Sequence, residues 1–230
     1  MQGIRFGEKH SFDDWNLYLV EKTISLPSLK KNTIDIPGAD GVLDLTEIFG
    51  EINYDNRQGS FEFVYVKSIK NFFNILSEIT NYCHGKNMKI VLDSDKSFYY
   101  IGRVEVDQGK TDKSTGTIVI NIDVNPYKYE INDSTEEWMW DSFNFNNGII
   151  RNYKNIEVKG RKVIIIPGRR KKVIPIFTSS EAMQIYYNGQ YYELYPGKSQ
   201  IIDILLSEGK NIITIIGTGI VSIEYRGGSL

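Results

Sequence analysis

Residues 183–194 read Met-Gln-Ile-Tyr-Tyr-Asn-Gly-Gln-Tyr-Tyr-Glu-Leu, and this is the clearest structural signal in the chain. The Asn188-Gly189 pair at its centre accepts the positive φ angles that both middle positions of a type I′ turn require. The tyrosine-rich runs on either side consist of side chains that favour strands. The stretch therefore predicts a β-hairpin with a two-residue turn.

Short apolar runs between turn residues continue along most of the 230 residues, which include 15 Tyr and 11 Phe. Consecutive antiparallel strands are expected through the second half. Weaker turn signals there are Asn147-Gly148, residues 207–210 between the runs 201–206 and 211–216, and Gly217-Thr218-Gly219 before the run 220–225. The sequence thus predicts a mainly β protein.

One segment has a helical period instead. Its apolar side chains recur three and four positions apart, at Ile69, Phe72, Phe73, Leu76, Ile79 and Cys83. This spacing predicts a single amphipathic helix, which Ser68 is expected to cap and Gly85 to end. The runs 88–92 and 97–104 flank the polar residues 93–96, so a hairpin is expected beside the helix.

Charge and cysteine content exclude several classes of protein. The 27 Lys and Arg against 29 Asp and Glu give a net charge of −2, too balanced for binding nucleic acid or membranes through overall charge. A lone Cys83 excludes an intrachain disulfide. Aliphatic runs reach only four or five residues, against the ~20 that a membrane-spanning helix needs. The first ten residues have no signal-peptide pattern, so we expect a soluble chain that is not exported by the usual route.

The two halves of the chain differ in charge. Residues 1–133 have 15 basic and 20 acidic side chains, whereas residues 134–230 have 12 and 9. The polar segment 130–137 follows a strand closed by Asn125-Pro126-Tyr127 and is interpreted as a linker. The sequence therefore predicts two domains, residues 1–133 and 134–230.

Catalytic motifs are missing from the sequence. The two histidines are His10 and His84, and His84 directly follows Cys83, a placement that does not usually form a nucleophile and base. Acidic pairs occur at Asp13-Asp14, at Asp93 with Asp95 and at Glu136-Glu137, but they are typical of turns and linkers. No phosphate-binding loop, dinucleotide fingerprint or metalloprotease motif occurs. We expect a protein that is not an enzyme, with no catalytic residue, metal or cofactor.

Two groups in the second half are candidates for outer-surface contacts. Basic residues at 161–162 and 169–172 could bind phosphates or an acidic protein face, or could be charges solvated in a turn. Tyrosines 186, 187, 191 and 192 could form a platform for sugar rings, or could pack in the core and across strands. The candidates are Arg169, Arg170, Lys171, Lys172, Tyr187 and Tyr191.

Several motifs in the N-terminal part of the chain stand in a distinctive order. Ser-Phe-Asp-Asp-Trp-Asn-Leu at 11–17 is followed by Ile-Asp-Ile-Pro-Gly-Ala-Asp-Gly at 34–41, Asp-Leu-Thr at 44–46 and Tyr-Asp-Asn-Arg at 54–57. Together with the single helix, its hairpin and the C-terminal segment 221–228, this order resembles the distal tail protein (Dit) family of long-tailed bacteriophages. The resemblance spans nearly the whole chain.

The resemblance implies a structural adaptor of the phage tail tip or baseplate hub. In such an adaptor, a β-sandwich-like N-terminal domain with one helix and a hairpin forms a hexameric ring, and a galectin-like or jelly-roll β-sandwich follows. The ring joins the tail tube protein to a tail-associated hub protein and lets DNA pass without specific binding. Isolated protein is expected as one ring or as two stacked rings, and the assembled protein belongs in the virion tail, built in the bacterial cytoplasm.

Within that interpretation the residues expected to determine the fold and the ring are Trp15, Pro37, Gly38, Asp40, Gly41, Asn56 and Arg57. Exposed strand edges of the first domain are expected to pair across subunit boundaries, since unpaired edges seek backbone partners. Two rival interpretations remain. One is a carbohydrate-binding module that contacts host glycans through the tyrosine-rich hairpin. The other is a glycoside hydrolase, which would need two carboxylates in one cleft.

Overall fold

A computed structural model describes residues 2–48, 50–111, 115–136 and 151–230 of the chain. The chain divides into two units. The first unit consists of Met1–Ser94, Tyr100–Pro126 and Leu230, and the second of Asp95–Tyr99 and Tyr127–Ser229. Strands predominate in both units, which confirms the predicted mainly β class.

An antiparallel sheet with the strand order β2-β1-β7-β8-β9-β6-β3 forms most of the first unit. The strands are β1 (Ile4–Phe6), β2 (Lys9–His10), β3 (Leu17–Ile24), β4 (Thr33–Asp35), β5 (Val42–Asp44), β6 (Arg57–Tyr65), β7 (Asn87–Leu92), β8 (Phe98–Thr111) and β9 (Gly116–Val124). β4 and β5 pair only with each other in the described part of the chain. Side chains of β9 alternate between buried and less buried positions, as expected for a strand with one face on a core.

The predicted helix is confirmed, with a different start. A 3-10 turn (Ile69–Asn71) precedes the α-helix α1 (Phe72–Cys83), and Gly85, at φ +73°, follows it as expected. The prediction that Ser68 caps the α-helix is wrong, because the extra turn moves the N-cap to Asn71. Phe73, expected on the buried stripe, is 64% exposed, while Phe72 lies in the core. The predicted hairpin beside the helix is present as β7 and β8, joined through a 3-10 turn at Asp93–Asp95.

A second antiparallel sheet forms most of the second unit, with the order β14-β13-β16-β12-β15 and with β11 paired to β16. The strands are β10 (Lys128–Glu130), β11 (Ile156–Gly168), β12 (Ile176–Ser179), β13 (Met183–Tyr187), β14 (Gln190–Leu194), β15 (Gly197–Gln200), β16 (Gly209–Glu224) and β17 (Gly228–Ser229). The hairpin read from residues 183–194 is confirmed, with φ of +48° at Asn188 and +85° at Gly189.

The turn predicted at Gly217-Thr218-Gly219 is wrong, because β16 runs through it without interruption. Gly217 and Gly219 have φ of +142° and +153°, and a Cβ on either would collide with the Met183 side chain. Residues before Gly217 pair with β13 and residues after Gly219 pair with β12. The glycines therefore mark the place where one long strand passes from one partner to another.

Two further predictions fail in the second unit. Residues 201–206 do not form the strand expected before 207–210; instead the Asn211 amide closes the loop by donating to the Ser207 carbonyl oxygen at 2.8 Å. The segment from Glu130 is not a linker, since Glu130 and Ser134 are buried. The turn expected at Asn147-Gly148 lies outside the described residues, and the domain boundary at 133 and 134 stays a prediction. Within the described ranges, no helix is long and apolar enough to cross a membrane.

Candidate functional site

An extended arm, residues 25–56, joins β3 to β6 in the first unit. Backbone contacts hold its base, where the Ser25 N–H donates to the Gln58 carbonyl oxygen at 2.8 Å and Leu29 bridges to Tyr54. Its outer part is the β4–β5 ladder. No described residue of the arm is buried. The arm therefore leaves the core of its own chain.

The arm nevertheless contains many large apolar side chains. Seven of them are 45% exposed or more: Leu26, Leu29, Ile34, Ile36, Val42, Leu43 and Ile48. Ile34 and Leu43 lie opposite each other in the ladder, so they share a face. A two-stranded hairpin is at best marginally stable in water without a packed face. The arm thus has the composition of a segment that is covered by another surface.

Carboxylates give the outer arm a uniform charge. Residues 33–51 contain Asp35, Asp40, Asp44, Glu47 and Glu51 and no basic residue. Hydrogen bonds from the Thr46 hydroxyl and backbone lower the pKa of the Asp44 carboxyl, which is therefore ionised near neutral pH. The arm presents aliphatic side chains together with negative charge.

Four of the residues selected from the sequence lie together at the tip of the arm: Pro37, Gly38, Asp40 and Gly41. Gly38 and Gly41 have φ of +84° and +76°, which an L side chain rarely adopts. A Cβ on either glycine would meet no atom within 4 Å, so the tip is open space. The turn requires glycine at these positions because of the backbone φ angles, and not because neighbouring atoms leave no room for a side chain.

The other three selected residues lie elsewhere. Trp15 is buried beside Phe6, and its indole N–H donates to Glu78 Oε1 at 3.2 Å. Asn56, at the base of the arm, donates from Nδ2 to Asp123 Oδ1 at 2.8 Å. The seven residues therefore do not form one site, and their role in a ring stays a prediction.

Arg57 is 4% exposed and has no counter-ion among the described residues. Its Nε donates to the Pro126 carbonyl oxygen at 2.6 Å, and its guanidinium lies 5.8 Å from the centre of the Tyr100 ring. Nη2 has no hydrogen-bond partner in the described structure. Burial lowers the pKa of Arg57, because the charged form loses its hydration.

The basic run at 169–172 does not form one exposed patch. Arg169 donates from Nε to Glu130 Oε1 at 2.5 Å, and Lys171 donates from Nζ to the Tyr129 hydroxyl at 3.2 Å. Arg170 pairs with Glu208 at 3.0 Å across a more exposed contact. The Arg169 side chain is only 12% exposed, so little of it is available for an outer-surface contact, which stays a prediction.

Glu130 is the centre of a buried ion cluster that the sequence analysis missed. Besides Arg169, it accepts hydrogen bonds from Arg151 Nη1 at 2.7 Å and from the Gly227 N–H at 3.0 Å. Arg151 Nε also donates to the Tyr225 hydroxyl at 2.8 Å. Burial is the largest single influence and would lower the pKa of Arg151, but the charges and hydrogen bonds of Glu130 and Tyr225 together outweigh it, so the pKa is raised. One weak signal for this cluster is present in the sequence. Glu130 directly follows the strand-like residues 127–129, which a solvent-exposed linker would not be expected to contain.

The tyrosines of the β13–β14 hairpin divide between two faces. Tyr187 is buried and donates its hydroxyl to the Leu205 carbonyl oxygen at 2.7 Å, so the expected surface contact through Tyr187 is wrong. Tyr191 is 64% exposed and lies beside Tyr186, with ring centres 4.9 Å apart. Strand pairing places these two rings in one row with Thr214 and Val163 on the outer face of the sheet.

Neither histidine forms a catalytic pair with Cys83. The thiol is fully buried and donates to the Ile79 carbonyl oxygen, while His84 Nδ1 accepts from the Val106 N–H at 3.0 Å. His10 is buried between Asp13 and Asp93, whose carboxylate oxygens lie 3.0 and 3.1 Å from its ring nitrogens. No group of three or more potential ligands in the described ranges is arranged to hold a metal ion.

Cys83 gives a test of this burial. Its pKa rises from 9.0 to about 11 because the buried thiolate would lose its hydration. The unfolded chain ionises first as the pH rises, so the stabilisation is complete below pH 9 and is lost towards pH 11. Between these values, the free energy of unfolding of the wild type is expected to fall more steeply than that of Cys83→Ala, by about 1.4 kcal/mol per pH unit. Urea unfolding at a series of pH values measures this difference. If the free energy of unfolding falls equally steeply with pH in both proteins, the Cys83 thiol is not buried as described.

A polar groove of about 500 Å³ lies across β3, β6, β8 and β9 in the first unit. Its lining includes Ser60, Asn121 and two carboxylates, Glu105 and Asp123. No histidine, cysteine, lysine or arginine lines it. The groove is acidic, and one of its carboxylates is already bound by Asn56.

Comparison with solved structures identifies a protein of similar fold. Neither a protein-family model nor a curated protein matches the sequence. The chain is similar in structure to the SPP1 Dit (gp 19.1) protein, described as a paradigm of the hub adsorption apparatus in phages that infect Gram-positive bacteria. The likeness has a TM-score of 0.61 and covers 100% of both chains at 14% sequence identity. The resemblance read from the sequence motifs is therefore confirmed at the level of the fold.

Proposed function

We propose that this chain is a structural adaptor of a phage tail tip, in which six copies form a ring between the tail tube and the tip hub. The observation that carries the proposal is the arm, an exposed apolar hairpin on a chain with the Dit fold. The partners are other copies, a tail tube protein and a tail-associated hub protein. The protein then belongs in the virion tail.

Burial of the arm supplies the reason to assemble. A fully buried aliphatic side chain contributes roughly 1.5–3 kcal/mol relative to an exposed one. Seven such side chains on one segment are costly in a monomer and stabilising once a neighbour covers them. The arm of each copy would meet a different surface on the next copy, which makes the contact heterologous. Such contacts form a ring when the rotation from each copy to the next returns to the first copy after a whole number of steps.

The charge of the predicted first domain suits a ring through which DNA passes. Its 20 acidic and 15 basic side chains give a net charge of −5, which repels phosphates. A wall that neutralised phosphates would bind the genome and retard it. Salt-dependent retention of DNA by the purified ring is expected to be weak, and tight binding at physiological salt would contradict this part of the proposal.

Light scattering coupled to size-exclusion chromatography, followed by negative-stain electron microscopy, tests the ring. The expected mass is six times the 26.4 kDa of one chain, or twelve times for two stacked rings. Particles with a central opening and six-fold symmetry are expected. A protein that remains monomeric across a wide range of concentrations would overturn the proposal.

A second candidate function is glycan binding by the second unit, and the Tyr186–Tyr191 pair favours it. Exposed aromatic rings stack on the apolar faces of sugars. The adjacent Gln184 Nε2 donates to Glu193 Oε1 at 2.7 Å, which places hydrogen-bonding groups on the same face. We expect Tyr191→Ala to abolish any signal on a glycan array, while Tyr195→Ala, which removes a similarly exposed ring away from the pair, keeps it. An array without signal for the wild type excludes this function.

A further inference from the structure

The segment that joins β6 to α1 exposes an apolar and basic surface. Val66, directly after β6, is 52% exposed, and Phe73, in the first turn of α1, is 64% exposed. Lys67 and Lys70 lie between them and are exposed, and neither side chain has an ion pair or hydrogen bond in the described structure. Residues 66–77 contain no acidic residue. The 66–73 segment therefore presents two cations beside two large apolar side chains that its own chain leaves uncovered.

The foot of the arm, where the chain leaves β3 and returns to β6, adjoins the acidic groove. The Ser25 N–H donates to the Gln58 carbonyl oxygen, and the Gln58 N–H donates to Ser25 Oγ at 3.1 Å. Gln58 lines the groove, as does Asp123, which Asn56 binds at the other end of the arm. Leu26 directly follows Ser25 and is 80% exposed. A neighbour that covers the arm down to its foot therefore also covers the groove.

Unpaired carboxylates surround this groove. Glu21 and Glu62 lie directly opposite each other on β3 and β6. They share a face with Thr23 and Ser60, which line the groove two residues away on each strand. Like charges at opposite positions destabilise a pair of strands. Glu21, Glu62 and Glu105 have no ion pair in the part of the chain that the structure describes. Burying such charges is costly unless cations accompany them, so a surface that covers the groove is expected to be basic.

The 66–73 segment and the foot of the arm match in spacing as well as in charge. Glu62 and Glu105 lie on β6 and β8, two strands apart, which is about 10 Å across the sheet. The Cα atoms of Lys67 and Lys70 can be at most about 10 Å apart, and their long side chains extend this reach. Gln58 and Tyr65, near the two ends of β6, are separated by about 23 Å. The two surfaces therefore lie at opposite ends of one strand, and a contact between them joins different copies.

We infer that the 66–73 segment of one copy docks at the foot of the arm of the next copy. Its two lysines pair with Glu62 and Glu105, and its phenylalanine covers the exposed Leu26. The contact thus buries apolar area and also pairs charges that are unpaired in the separate chain. The inference rests on the proposed ring, and it names the surface that each copy presents to the arm of its neighbour. Because the two surfaces differ, the contact is heterologous, as a six-membered ring requires.

Charge reversal in the full-length chain tests the docking. Lys67→Glu with Lys70→Glu is expected to weaken assembly by about tenfold or more in sedimentation velocity, because each reversal turns attraction into repulsion. Glu62→Lys with Glu105→Lys is expected to weaken assembly equally, although it relieves the repulsion between Glu21 and Glu62 within each chain. All four changes together are expected to restore assembly, since the two surfaces are again opposite in charge.

A control variant and a folding measurement accompany these variants. Lys96→Glu with Lys154→Glu reverses two exposed cations of the second unit and is the control for net charge. Circular dichroism during thermal unfolding checks that each variant is folded before its assembly is measured. The control variant is expected to assemble like the wild type, and equal weakening by it would assign the effect to net charge and overturn the docking.

The remaining outcomes distinguish this docking from the function on which it rests. A wild-type ring with unchanged assembly in either charge-reversed pair overturns the docking and leaves the adaptor function standing. Loss of assembly in both pairs without restoration in the fourfold variant also overturns the docking, because each surface then meets some other partner. A folded wild type that remains monomeric overturns the proposed function itself.

Discussion

Replacing Ile34 and Leu43 together by aspartate is expected to give a folded monomer in place of the ring. The two side chains share one face of the β4–β5 ladder and are 49% and 46% exposed in the isolated chain. Their replacement removes apolar area from the proposed contact and adds two charges that a neighbour would have to bury. Light scattering is expected to show the mass of one chain at concentrations where the wild type is fully assembled.

The fold of the variant is expected to be intact, because no described residue of the arm is buried. Exposed substitutions of this kind usually change the free energy of unfolding by about 0.5 kcal/mol or less. Thr33→Asn, on the opposite face of the same ladder, is the matched control and should assemble normally. A double-aspartate variant that still forms rings would show that the arm does not join the subunits.

The second large effect is expected for Glu130→Gln. This change keeps the shape of the side chain but leaves Arg151 and Arg169 buried without their common counter-ion. Removing one partner of a buried ion pair typically costs about 3–5 kcal/mol, because the remaining charge is uncompensated. Urea unfolding followed by circular dichroism is expected to show a loss of this size in the free energy of unfolding of the second unit.

Glu157→Gln is the matched control for that experiment. Glu157 pairs with Lys159 at 2.7 Å, as short as the contact of Glu130 with Arg151, but both side chains of this control pair are well exposed to solvent. Exposed ion pairs contribute only about 0–1 kcal/mol, since water solvates either partner alone. Similar losses in the two variants would mean that Glu130 is not buried in solution as the structure shows it.

The sequence allowed the helix and the hairpins with strong local signals to be predicted. Asn188-Gly189 meets a local dihedral requirement, and the apolar stripe from Phe72 to Cys83 repeats with the helical period. The order of short motifs was sufficient to indicate the Dit fold, although identity to the SPP1 protein is only 14%. Failures came where a local signal has two structural meanings. Gly217 and Gly219 are typical of a turn, yet they lie within one continuous strand, where a Cβ on either would collide with the Met183 side chain.

The candidate sites were harder to predict from the sequence than the fold. The arm was recognisable at its tip, where Pro37, Gly38 and Gly41 specify a turn, but its exposed apolar face became evident only with the fold. Arg169 and Tyr187 were expected at the surface and are turned inward. The type of a residue does not determine whether its side chain faces the core or the solvent.

Local chemistry along the chain therefore determined the mainly β class, the helix, the tight turns and the excess of negative charge in the outer arm. These properties depend on neighbouring residues, whose identities are read directly. Only the tertiary structure decided that Glu130 meets Arg151 and Arg169, and that the arm leaves the core while Trp15 enters it. The physical reason is that burial and ion pairing join residues far apart in the chain, and their partners are chosen by packing and not by spacing.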